Sequence, residues 1–232
     1  MTKNKALFYT LFFFVLSLFL YLFYLSTQYI INFWTFSQAH INYSDGFVKR
    51  GLFGTIALLM ENKLSIKFIN TFNLFFIIFY LINIVLYFKI IKNYINFNFI
   101  LFFLALSPTL IVFSFNDLGG FQRFDVISIF LILFHSYIVN LLRSKKITFK
   151  KYRKQFLFII FPISFISIFI HEIQCWSIPF HFFLIKSIYD EANRGLNELI
   201  FFFSILILAS IFVFTIPIEL NSINSMIDKL DE

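Results

Sequence analysis

Apolar runs long enough to cross a bilayer recur along nearly the whole chain, and this feature decides the fold class. Spanning a hydrocarbon layer of about 30 Å takes about 20 helical residues. Lipid offers the backbone no hydrogen-bond partners, so only helices and closed barrels can cross it. Barrel strands alternate polar and apolar residues, whereas the runs here are continuous. Only 13% of residues are charged, against roughly 25% in a soluble domain, and the mean hydropathy is +0.85. The chain therefore reads as all-α, a polytopic transmembrane helix bundle forming a single integral membrane domain over residues 1–232.

Spans are expected at about residues 7–25, 69–88, 97–115, 126–142, 156–170 and 199–216. Residues 51–60 are apolar but too short to cross, and suit a surface-lying or re-entrant helix. Residues 177–189 are also short for a crossing. The count is seven if they cross and six if they do not, with residues 219–232 outside or inside accordingly. Lys3 and Lys5 precede the first run without a small-residue cleavage site, so it reads as an uncleaved span with a cytoplasmic N-terminus. The lone Cys175 has no partner for an intramolecular disulfide.

Charge placement orients the bundle. Arg143, Lys145, Lys146, Lys150, Lys151, Arg153 and Lys154 fall in one acid-free loop, about residues 143–155. Positive charge beside span ends stays in the cytoplasm, so this loop faces inward, and a topogenic role is preferred to nucleic-acid binding. The outer loops are then about residues 28–68, 116–125 and 171–177.

Each outer loop carries a polar patch: Asp45, Lys49 and Arg50; Asp117, Arg123 and Asp125; and His171 with Glu172. Ionisable groups near a membrane are costly and mark a site, a pathway or a pair. Five of the six glycines, Gly46, Gly51, Gly54, Gly119 and Gly120, lie in the first two loops, where the backbone approaches something closely or turns. Gly119-Gly120 with Arg123 suit an anion such as phosphate. Duller readings stand beside these. Asp45 can simply pair with Arg50, Asp125 can serve the positive end of the following helix, and His171-Glu172 can be a structural pair. The run His171-Glu-Ile-Gln-Cys175 lacks the second histidine of a zinc protease motif. No cofactor is indicated, and a divalent metal is compatible with the acids without being pointed to. His135 lies mid-span and is expected to be satisfied by a neighbouring helix, while His40 and His181 show no diagnostic spacing.

The segments Asp45-Gly-Phe-Val-Lys-Arg-Gly-Leu-Phe-Gly54, Gly120-Phe-Gln-Arg-Phe-Asp125 and His171-Glu172 together resemble bacterial O-antigen or capsule repeat-unit polymerase-like proteins. These are similar in general plan to glycosyltransferases of the C type. The resemblance implies a protein of the bacterial cytoplasmic membrane using polyprenyl-diphosphate-linked sugars at its outer face. It implies that Asp45 is the base or acceptor-orienting group and that Lys49, Arg50 and Arg123 hold the donor's diphosphate. Beside it, the His171–Glu172 pair reads as a catalytic candidate that bonds substrate hydroxyls or acts as acid and base, and Asp125 and Asp117 as further substrate-binding candidates. Membrane lipid and other polysaccharide-assembly proteins are the implied partners, and nucleic acid is not. Two other classes remain open. A transporter would line a pathway with charge inside the spans, where His135 is nearly the only ionisable residue; a non-catalytic subunit would use the patches to bind a protein.

Overall fold

A computed structural model describes residues 3–28, 36, 39–43, 51–91, 123–192 and 197–215. Among them there is helix and no strand. The expected span 97–115, the residues Asp45, Lys49, Arg50 and Asp117, and the tail 219–232 lie outside the described residues.

The helices are α1 (Lys3–Gln28), α2 (Gly51–Leu64), α3 (Phe68–Ile91), α4 (Asp125–Arg143), α5 (Phe149–Ile170), α6 (Ile178–Glu191) and α7 (Asn197–Thr215), with a 3-10 turn, Glu172–Ser177, between α5 and α6. Three of them, α3, α4 and α5, are long and apolar enough to cross a membrane. At about 1.5 Å per residue, the 14 residues of α2 and of α6 each reach about 21 Å, short of the hydrocarbon thickness. The 19 residues of α7 come close to it.

Two expectations need adjusting. The helix containing the fifth apolar run begins at Phe149 and not near residue 156, so Lys150, Lys151, Arg153 and Lys154 are helical and the loop shrinks to residues 144–148. The Thr148 hydroxyl caps the helix by accepting from the Lys151 amide at 3.3 Å. Lysine, arginine and glutamine are good helix formers once water receives their charges. Further along α5, Phe156–Ile160 widens into a π turn. Pro162 explains it, because a proline lacks the amide for the carbonyl four residues back and clashes with that carbonyl.

α4 ends with Lys145 at φ 57°. Its amide donates to the Leu142 carbonyl, and the Lys146 amide to the Leu141 carbonyl, each at 2.9 Å. This is the six-residue closure that glycine ordinarily makes. An L side chain in the left-handed region costs about 1 kcal/mol. Lys145→Gly should therefore raise unfolding stability by about 1 kcal/mol, read by thermal melting in detergent.

The core divides in two, and α4 belongs to both halves. Its first half packs with α1, α2 and α3 around Phe19, Phe53, Phe72, Phe76 and Leu131. Its second half packs with α5, α6 and α7 around Ile138, Ile160, Ile185 and Leu206. A buried Asn83 on α3 donates to the Val126 carbonyl at 3.0 Å, tying the two long helices where α4 begins. Outward faces stay apolar: Phe158 is 71% exposed, and Phe183, Phe201 and Leu208 are exposed too. Contiguous apolar surface of this kind is a liability in water and ordinary against lipid.

Candidate functional site

At the end of the bundle where α4 begins and α5 finishes, two of the expected polar patches meet. Arg123 precedes α4, and its guanidinium lies 3.0 Å from the Asp125 carboxylate. Asp125 stands in the first turn of α4, at its positive end as expected, without capping it by a side-chain bond. Phe124 is the N-cap, it makes no side-chain cap bond, and Asp125 in the first turn pairs with Arg123. Both side chains are over a third or about a third exposed, so the pair adds little stability. Its guanidinium can still swing to an anion.

His171 ends α5 in an extended conformation, its amide donating to the Ser167 carbonyl at 3.0 Å. That break turns the chain into the 3-10 turn and brings Glu172 alongside. Nδ1 of His171 lies 3.9 Å from Oε2 of Glu172, beyond hydrogen-bond range. Both side chains are mostly buried, unlike the Arg123–Asp125 pair.

Gln174 joins the two patches. It is 1% exposed, its Nε2 donates to the Phe124 carbonyl at 2.8 Å, and its Oε1 accepts from the Ser128 hydroxyl. The Ser177 hydroxyl donates to the Gln174 carbonyl at 2.8 Å. The turn bearing His171 and Glu172 is thereby clamped onto the start of α4, with the Phe124 and His171 rings 6.0 Å apart.

Phe124 also packs against α2. Its ring lies 5.3 Å from that of Phe53 on α2. The residues bracketing 44–50 are held close together: the Tyr43 amide donates to Thr55 Oγ1 at 2.8 Å, and that hydroxyl donates to the Gly51 carbonyl at 2.8 Å. The Tyr43 ring lies so near Gly51 that no Cβ fits between them. Burial pushes the Tyr43 phenol up. Burial also lowers His40, opposed by the hydrogen bond its ring donates to the Phe36 carbonyl and by the charge of Glu61. The chain on either side of residues 44–50 is thus tied together through Thr55.

Cys175, in the same turn as Glu172, lines an apolar groove of about 570 Å³ between α6 and α7. The groove is lined by Phe182, Phe203, Ile207 and Phe214 among others. Burial pushes the Cys175 thiol up, and a hydrogen bond with Ser210 offsets this in part. Among the described residues, no three His, Cys, Asp or Glu side chains gather as metal ligands.

One polar cluster lies away from this end. His135 of α4 joins Nδ1 to Nδ1 with His181 of α6 at 2.8 Å, and its Nε2 meets the Tyr152 hydroxyl of α5 at 2.9 Å. All three side chains are buried. The neighbouring-helix partner expected for His135 is therefore supplied by two helices. Searched against family models, curated proteins and solved structures, the chain matches none.

Proposed function

We propose that the chain is a membrane glycosyltransferase or polysaccharide-polymerase-like protein acting on polyprenyl-diphosphate-linked sugars at the outer face of the bacterial cytoplasmic membrane. The observation that carries this reading is the apposition of the Arg123–Asp125 pair and the His171–Glu172 turn, clamped together by Gln174. A half-exposed guanidinium at the same end of the bundle as a sheltered carboxylate suits transfer from a diphosphate. As the bond from sugar carbon to phosphate oxygen breaks, its electron pair leaves with the diphosphate. Arg123, with Lys49 and Arg50, offsets that developing charge. The acceptor hydroxyl forms the new bond to the sugar and yields its proton to a carboxylate, Asp45 or Glu172. His171, in the same turn, hydrogen-bonds the substrate hydroxyls. Asp125 and Asp117 position the cations and the sugar.

The apolar groove beside Cys175 supports the same reading. Along α7 its lining runs from Ile200 to Phe214, about 21 Å at helical rise. This suits several isoprene units of a lipid tail whose head reaches Glu172. The bundle would have six or seven spans, with a cytoplasmic N-terminus and the basic turn inside.

Polymer length in cells carrying Asp45→Asn or Arg123→Ala tests the proposal. Each stable variant should lose roughly a hundredfold or more of activity, as expected for removing a proton acceptor or a charge-stabilising group. Unchanged polymer from both would end the glycosyl-transfer reading.

A transport reading draws on one observation, the ionisable His135–His181–Tyr152 chain buried between helices. Its discriminating prediction is that neutral, apolar replacement of all three abolishes function, whereas glycosyl transfer at the other site survives it.

A further inference from the structure

At the opposite end of α4 and α5 the described acids, Asp190 and Glu191, are already engaged. Arg143 pairs with Glu191 at 2.5 Å and bonds the Ser187 hydroxyl at 2.8 Å, and Lys186 pairs with Asp190 at 2.7 Å. Nothing comparable serves Lys145, Lys146, Lys150, Lys151 and Lys154, none of which pairs with an acid among the described residues. All five are exposed, as is Arg153.

Their arrangement is held firmly. Thr148 caps the helix, and Tyr152, the one buried residue among 150–154, anchors the first turns of α5 by its bond to His135. Lys150, Lys151, Arg153 and Lys154 therefore fan outward around a fixed post. The helix dipole adds to the repulsion, because cations in the first turns lie at its positive end. Lys145 adds backbone strain, standing at φ 57° where glycine would be relaxed. A solvated turn gains nothing from this crowding.

Apolar surface begins at once beyond it. Phe158, the most exposed large hydrophobic residue of α5, lies one turn past Lys154, about 6 Å along the helix. Cations one turn from a lipid-facing belt stand at the depth of phosphate groups.

We infer that the α4–α5 turn and the first two turns of α5 form a docking ledge for the phosphate headgroups of anionic phospholipids. Diester phosphates neutralise the five lysines while their acyl chains lie along the belt that starts at Phe158. The ledge is independent of the sugar-transfer reading, since it lies at the other end of the helices. A polyanion such as nucleic acid would meet the same charges without using the adjoining apolar surface, and so is the less fitting partner.

The test uses the full chain in phosphatidylcholine nanodiscs. Phosphatidylglycerol is titrated in, bound lipid is counted by native mass spectrometry, and stability is followed by thermal melting. The wild-type chain should retain phosphatidylglycerol selectively and melt at higher temperature with it, and about 0.5 M salt should weaken both effects. Lys150→Gln/Lys151→Gln/Lys154→Gln should weaken retention about a hundredfold. In phosphatidylcholine alone this variant should melt no lower than wild type, because it relieves repulsion. Lys186→Gln, which removes a paired cation, should leave retention unchanged. The inference is overturned if wild type does not distinguish the two lipids, or if the triple variant retains phosphatidylglycerol within twofold of wild type. It is equally overturned if inorganic phosphate reproduces the melting shift, or if a single-stranded oligonucleotide binds the ledge more tightly than the lipid.

Discussion

Gly54→Ala should destabilise the protein by about 3 kcal/mol and free the 39–43 segment from α2. A Cβ at Gly54 would overlap the Ile41 carbonyl oxygen and lie 2.7 Å from that of Ala39. Both obstacles are backbone, so neither can rotate aside. The segment would have to lift, breaking the bond from the Tyr43 amide to Thr55 and the stacking of His40 on Phe68 at 3.8 Å. Gly51→Ala meets a side chain, the Tyr43 ring, which can swing; its cost should be smaller. Chemical denaturation of both variants in detergent, with limited proteolysis around residue 43, gives the ranking. Equal costs would contradict this account of the close approach.

His135→Leu should be nearly as damaging, because it strands two buried partners at once. Tyr152 and His181 would each lose their bond to His135. Each stranded polar group costs about 1–3 kcal/mol, giving a loss of about 2–6 kcal/mol in all. The combined variant His135→Leu/His181→Leu/Tyr152→Phe removes the demand together with the supply. It should recover most of the loss, since an apolar interior tolerates matched apolar replacement. A triple variant less stable than the single one would show that the cluster contributes stability beyond satisfying its own polar atoms. If sugar transfer is the function, polymer should persist in that triple variant.

The spans were legible to different degrees. Hydropathy places the expected 69–88 and 126–142 runs within a few residues of Phe68–Ile91 and Asp125–Arg143, because a lipid-facing helix keeps its whole length apolar. The start of α5 was missed by seven residues for the complementary reason: hydropathy reports where charge begins, not where helix begins, and charged residues with high helix propensity extend α5 beyond its apolar part. The meeting of Arg123 and Asp125 with His171 and Glu172 follows from chain parity, as alternate loops emerge at one end. What holds them there was not legible. Gln174 is a single amide whose partners, Phe124 and Ser128, lie 50 and 46 residues away. His135 and His181 are likewise 46 residues apart on separate helices. A lone polar residue in an apolar run signals that a partner exists, and only tertiary packing says which one.

The central claim is that charged groups from three separate loops share one side of the membrane, opposite the lysine-rich turn. Single cysteines introduced as Asp45→Cys, Arg123→Cys, Glu172→Cys and Lys146→Cys in a Cys175→Ser background test it directly. With a membrane-impermeant maleimide on intact cells, positions 45, 123 and 172 should label from the same outer side. Position 146 should label only after permeabilisation. Labelling of position 45 together with 146, and apart from 123 and 172, would contradict a single shared site.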